Sequence, residues 1–229
     1  MVLILLVPVL AACGPAPIPM PSPETSPTLR YLALGDSYTI GESVDVNQRW
    51  PVQLAKLLEA HGRSPDLTIS ARTGWTTNEL WQAIQAGPPQ GTYDLVTLLI
   101  GVNDEYRGGD PEQYRQDFRF LLGKAVGYAG GKPGRVVVLS IPDWGVTPYA
   151  QNDPRPAAQI AAEIDAFNAV NRDETAAAAR YVDITPFSRT APTDPTLIAG
   201  DGLHPSGKMY AGWVQLALPA ALSALNMAP

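Results

Sequence analysis

The chain has 229 residues, of which 45% are hydrophobic and 17% charged, with a formal net charge of −6. That length and apolar content suffice for one well-buried domain and argue against a disordered chain. The negative balance and the lack of any Lys/Arg run exclude the electrostatic footprint of a nucleic-acid binder.

The N-terminus is a separate object. Val2 to Ala12, VLILLVPVLAA, is an unbroken apolar run. It is long enough for a signal-peptide core and well short of the ~20 residues that span a bilayer as a helix. It ends in Leu10-Ala11-Ala12-Cys13, and Cys13 is the only cysteine in the chain. The expectation is a signal peptide over 1–12. This ending resembles the lipobox of bacterial lipoproteins, which implies lipidation at Cys13, export and a membrane anchor through that lipid. The alternative is an ordinary secretory signal that happens to carry a cysteine. A lone Cys rules out an intramolecular disulfide, so the core must be held by packing alone. Residues 13–28 contain Pro15, Pro17, Pro19, Pro21, Pro23 and Pro27, a composition that favours extended polyproline-like backbone and reads as a tether. A domain is expected over 29–229.

Strand-like and helix-like runs then alternate. Strand patterns lie at Tyr31–Leu34, Leu67–Ser70, Leu95–Ile100, Val136–Ile141 and Tyr181–Ile184. After the first, Gly35-Asp36-Ser37 are turn formers, and no helical pattern resumes until Trp50. The first helix, Trp50 to His61, has Pro51 in its first turn and Gly62 as its stop; His61 reads as a capping residue beside the negative end of the helix dipole. The second opens on Thr76 with Glu79 three residues on, a capping-box spacing, and the third on Asp110-Pro111. The fourth spans about Ala157 to Arg180, and the last starts near Ser206.

Five strands separated by helices predict a parallel sheet covered on both faces, because parallel neighbours need crossover connections. In such sheets ligands bind outside the carboxyl ends of the strands. The segments to read are therefore Gly35-Asp36-Ser37, Ala71-Arg72-Thr73-Gly74-Trp75 and Gly101-Val102-Asn103-Asp104. Pro142-Asp143-Trp144-Gly145 follows the fourth strand and carries no assignable chemistry. Near the C-terminus stands Asp201-Gly202-Leu203-His204-Pro205-Ser206. A serine nucleophile needs a base within reach, and that base needs an acceptor to fix its tautomer. One turn offers both, since Pro205 disfavours helical geometry at His204 and keeps the imidazole on the loop. A plain helix N-cap accounts for Ser206 but not for Asp201 and His204 together. Asp36 and Asp104 read as loop-fixing carboxylates.

Taken in order, Gly35-Asp36-Ser37, Gly74, Gly101-Val102-Asn103-Asp104 and Asp201-Gly202-Leu203-His204-Pro205 resemble the four blocks of the SGNH hydrolases, or GDSL esterases/lipases. The resemblance implies a three-layer α/β/α, flavodoxin-like fold and serine-ester hydrolysis. It implies Ser37 as nucleophile, His204 as general base and then acid, and Asp201 as the orienting carboxylate. It implies an oxyanion hole made of the Ser37 and Gly74 N–H groups and the Asn103 amide. Expected substrates are carboxylic esters: short acyl esters, lysophospholipids or O-acetylated glycans. No cofactor is called for, and two distant histidines with one cysteine give no metal-ligand spacing. The alternative is a tethered binding module that keeps the fold without turnover. Arg72, Tyr38, Trp75, Tyr106 and Trp144 neighbour the expected site and are either pocket lining or plain core.

Overall fold

The computed structural model describes residues 28–176 and 178–227. The expected signal peptide, Cys13 and all of the expected tether except Thr28 lie outside the described residues. Five strands form the sheet: β1 Thr28–Gly35, β2 Ser64–Ala71, β3 Leu95–Leu99, β4 Val136–Leu139 and β5 Arg180–Val182. The order is β2-β1-β3-β4-β5, and every pairing is parallel. Among the described residues, eight α-helices accompany it: α1 Ser37–Ile40, α2 Trp50–Ala60, α3 Thr77–Ala86, α4 Val102–Tyr106, α5 Pro111–Tyr128, α6 Ala157–Ala176, α7 Thr185–Ser188 and α8 Gly207–Ala224. Helices α2 and α8 pack together on one side, while α5 contacts both α3 and α6 on the other. This is the expected three-layer α/β/α arrangement, with the flavodoxin-like strand order.

The sequence explains the layering. All of β3 and β4 is buried, and their Leu/Val composition suits strands covered on both faces. Strand β2 is only partly buried, as an edge strand should be, and tolerates Pro65 near its start for the same reason. On α2, Trp50, Leu54 and Leu58 repeat every four residues and are fully buried. Each such side chain contributes roughly 1.5–3 kcal/mol relative to exposure.

The caps form as the spacing predicts. Thr76 and Glu79 make the reciprocal capping box of α3, Asp110 accepts from the N–H groups of Glu112 and Gln113, and Ser206 accepts from Met209 N–H. The His61 ring donates through Nδ1 to the Leu57 carbonyl at 2.8 Å, so this histidine closes α2.

Several expectations need correction. A helical turn, α1, begins directly at Ser37, and a 3₁₀ turn follows at Val46–Gln48, so the stretch before Trp50 is not a plain loop. Asn103 stands on the short helix α4 and not on a coil after β3. Helix α6 stops at Ala176, because Arg180 is already paired with Val137 in β5. The sheet starts one residue before the expected domain boundary, with Thr28 paired to Ser64.

Candidate active site

In this strand order, β1 leads to β2 on one side, and the chain then returns to place β3 on the other side of β1. The carboxyl ends of β1 and β3 therefore flank the switch point at which such sheets bind ligands. Ser37 follows β1 and Asn103 follows β3.

Asp36 sets the first side chain. It caps α1, its Oδ1 accepting from Tyr38 N–H at 3.0 Å, which makes Ser37 the first helical residue. First-turn N–H groups have no partner inside their helix, so that of Ser37 is free to donate outward. Burial pushes the Asp36 carboxyl up to about 8, against the opposing Tyr38 hydrogen bond. The reading of Asp36 as a loop-fixing group agrees with this geometry.

Gly74 occupies a left-handed conformation, φ +85°, between β2 and α3, where a side chain would be strained. Its carbonyl accepts from Arg107 Nη2 at 2.7 Å. Arg107 also pairs with Glu79 at 3.2 Å, fastening the Gly74 loop to α4. Asp104 does the same from the other side: its Oδ2 accepts from both N–H and Oγ1 of Thr77, each at 3.0 Å. Burial raises the Asp104 carboxyl to about 6 despite those bonds. Beside it, Asn103 donates from Nδ2 to the Trp75 carbonyl at 2.9 Å. An amide nitrogen carries two protons, so one remains for the cavity.

The acid-base turn is held from within. Asp201 Oδ1 accepts from the N–H groups of Leu203 and His204 at 2.9 Å, while Oδ2 accepts from His204 Nδ1 at 2.6 Å. Gly202 supplies the positive φ, +74°, that this tight turn requires. Burial works against the Asp201 charge, but hydrogen bonds from Ser43, His204 and the two backbone N–H groups outweigh it. They hold the carboxyl well below the usual range. A carboxylate on Nδ1 leaves Nε2 of a neutral imidazole as the acceptor.

Ser37, Gly74, Asn103 and His204 all line one cavity of about 130 Å³, and Asp201 stands behind His204. Ser37 and His204 are 5% and 8% exposed, accessible to a ligand yet largely shielded from bulk water. All five expected site residues of the domain thus come together at the switch point; Cys13 is outside the described residues. Among the described residues, no group of three or more His, Cys, Asp or Glu side chains is arranged to hold a metal.

Of the neighbours, Tyr38, Tyr106 and Trp144 line the cavity, whereas Arg72 and Trp75 do not. Trp144 is also firmly anchored, its Nε1 donating to Glu105 Oε2 at 2.8 Å and its ring lying edge-on to Tyr106. Asp143, unassigned from sequence, accepts from Gly145 N–H and from Arg189 Nε and so fixes the loop that presents Trp144. Sequence reasoning missed Tyr149, whose hydroxyl lies 3.2 Å from that of Tyr106 and whose N–H donates to the Gly202 carbonyl. It also missed Ser43, whose hydroxyl reaches Asp201 from a point far away in sequence. Neither position belongs to a motif or to a periodic segment.

A flavodoxin-like α/β domain with a serine, a histidine-carboxylate pair and an amide around its switch-point cavity defines the protein class. Residues 33–211 match the model of the GDSL-like lipase/acylhydrolase family, and the chain belongs to that family. Over 119 residues it is 28% identical to a Vibrio mimicus arylesterase, a match covering 51% of this chain and 58% of that protein's length. Among solved structures, TesA superposes with a TM-score of 0.63 at 23% identity, covering 86% of this chain and 99% of TesA. The lipase Lip_vut3 from a goat rumen metagenome gives 0.66 at 19% identity, covering 84% and 97%. The esterase EstA from a Pseudoalteromonas species gives 0.62 at 18%, covering 86% and 98%.

Proposed function

We propose that the protein hydrolyses carboxylic esters with Ser37 as the nucleophile, His204 as the base and then the acid, and Asp201 as the carboxylate that orients His204. The observation that carries this reading is one cavity lined by Ser37, Gly74, Asn103 and His204, with Asp201 bonded to the far side of the imidazole. In the reaction, His204 Nε2 takes the Ser37 proton as Oγ attacks the ester carbon, and the imidazolium is stabilised by Asp201. The developing oxyanion is met by the Ser37 and Gly74 N–H groups and the free Asn103 amide proton, fixed donors that need no reorganisation. His204 then protonates the leaving alcohol, and water repeats the sequence on the acyl-enzyme.

The cavity volume favours small acyl groups, since about 150 Å³ is the size that admits a benzene ring. Acetyl to butyryl esters, O-acetylated glycans included, are accordingly proposed ahead of lysophospholipids. Export and lipid attachment at Cys13 belong to the same proposal, supported by the sequence alone; fractionation of a Cys13→Ser variant tests that part, and a fully membrane-bound variant would refute it.

The chemistry is tested with p-nitrophenyl esters from acetate to palmitate, together with acetylated xylan and lysophosphatidylcholine. Ser37→Ala is expected to lose at least about a thousandfold in turnover while keeping the parent unfolding temperature. Turnover within a few fold of the parent would remove Ser37 from the mechanism.

A further inference from the structure

We propose that Ser43, a residue that no sequence block contains, is a positioning residue of the acid-base pair. The inference rests on the hydrolase reading above. Three observations carry it. First, Ser43 Oγ donates to Asp201 Oδ2 at 2.6 Å, the same oxygen that accepts from His204 Nδ1 at 2.6 Å. The two donors share one carboxylate oxygen, so the Ser43 hydroxyl fixes the direction from which Asp201 meets the imidazole. Second, Ser43 holds φ +63°, the left-handed region that costs a non-glycine residue free energy. Glycine would adopt that backbone without strain, and the Ser43–Asp201 hydrogen bond offsets the cost.

Third, the segment that presents Ser43 is tied to the nucleophile. The N–H groups of Gly41 and Glu42 both donate to the Ser37 carbonyl at 3.0 Å. Glu42 accepts from Thr73 Oγ1, next to Gly74, and Ser43 then reaches Asp201. A span of three residues, Gly41 to Ser43, thus touches the nucleophile's backbone, the loop of the Gly74 donor and the orienting carboxylate. Asp201 and Ser37 belong to opposite ends of the chain, and the Ser43 side chain joins their two turns by a direct hydrogen bond.

Mechanistically, Ser43 neither touches substrate nor moves a proton. It restrains the Asp201 carboxylate, which restrains the ring, so its loss is felt where the imidazolium forms and not where substrate binds. Such an effect appears in kcat and leaves KM alone.

The test uses the full chain with Ser43→Gly and Ser43→Asn. Glycine fits the left-handed backbone and keeps the fold, while asparagine tolerates that backbone and retains a side-chain donor. Ser43→Gly is expected to lower kcat about tenfold, the usual scale for a hydrogen bond to a charged acceptor, with KM changed less than about twofold. Ser43→Asn is expected to restore kcat to within about threefold of the parent by supplying that donor again. A structural role alone would lower the unfolding temperature and leave the kcat-to-KM split unmoved.

An arm independent of turnover reads the downfield proton NMR signal of the His204 Nδ1–H, easily assigned because the chain has only two histidines. That signal is expected to move in Ser43→Gly and to return toward the parent position in Ser43→Asn. Parent-like kcat in Ser43→Gly, or an unmoved signal, overturns the proposal. If the parent itself shows no Ser37-dependent turnover, the hydrolase reading falls, and the signal alone decides whether Ser43 positions Asp201.

Discussion

Replacing Asn103 with alanine probes the proposed oxyanion site most directly. Its Nδ2 donates one proton to the Trp75 carbonyl, at 2.9 Å, and in the proposed mechanism the other meets the oxyanion in the cavity that Asn103 lines. The substitution removes two interactions of different kinds. Loss of the Trp75 bond acts on the folded protein and should cost about 1 kcal/mol of stability. Loss of the free proton acts on the transition state, where one such donor is worth roughly 3 kcal/mol, or about 10² to 10³ in kcat. Since the oxyanion forms only after attack, KM should barely change. Steady-state kinetics on p-nitrophenyl butyrate, paired with thermal unfolding, separates the two effects. Asn103→Asp keeps the size but replaces the donor with an acceptor facing the oxyanion, and should be at least as slow. A kcat reduced less than about fivefold in Asn103→Ala, with Ser37→Ala inactive, would refute the assignment of Asn103 as an oxyanion donor.

Gly35→Ala would drive a Cβ into the Thr39 side chain and the Leu99 carbonyl oxygen. Overpacking of this kind costs typically 1–3 kcal/mol or more, so calorimetry should show an unfolding temperature several degrees lower. Tyr149→Ala would remove the ring whose hydroxyl meets that of Tyr106 at the cavity; relative to butyrate, kcat/KM for hexanoate and octanoate esters should rise at least about tenfold, because each methylene accommodated in an apolar pocket is worth about 1–3 kcal/mol. Stability should fall from pH 5 to pH 8.5. Burial raises Asp36 to about 8, Glu105 to about 7 and Asp104 to about 6, so these groups hold protons more tightly folded than unfolded. Their contribution is complete below the ordinary carboxylate range and is lost as pH climbs through those values. The rise of Asp104 alone corresponds to about 3 kcal/mol, of which roughly half falls above pH 5, and a melting temperature that stays level or rises over this window would refute the account.

The sheet was legible because its strands are apolar runs with punctuated ends, and the longer helices because caps such as Thr76 with Glu79 and Asp110 with Pro111 leave fixed spacings. Helices α1 and α4 were not legible. At four and five residues they are too short for a 3.6-residue periodicity, and what starts them is the Asp36 cap and the positive φ of Gly101. The site followed the same division. Asp201 and His204 share one turn and can be paired from sequence, whereas the Ser43–Asp201 bond joins residues separated by 158 positions. Trp144 and Tyr149 gain their places from a loop braced by the Asp143–Arg189 pair and by the Tyr149 N–H bond to the Gly202 carbonyl, contacts that join segments far apart in sequence. Asp104 was read as a loop-fixing group, but that its partner would be Thr77 depends on how α3 and α4 meet.

The parallel sheet also gives the domain a handle. With all five strands running the same way, every strand begins at the edge remote from the cavity, and the chain joins the domain there at Thr28. The chain leaves beside the same point: Leu225 and Asn226, just past α8, line a small recess together with Thr28 and Leu29. Both ends of the domain therefore lie side by side, with the sheet between them and Ser37. Linking the protein to a bead, a lipid or a carrier protein through either end would leave the cavity mouth pointing outward. Joining the two ends with a short peptide and opening the chain at an exposed loop would give a circular permutant that retains the site.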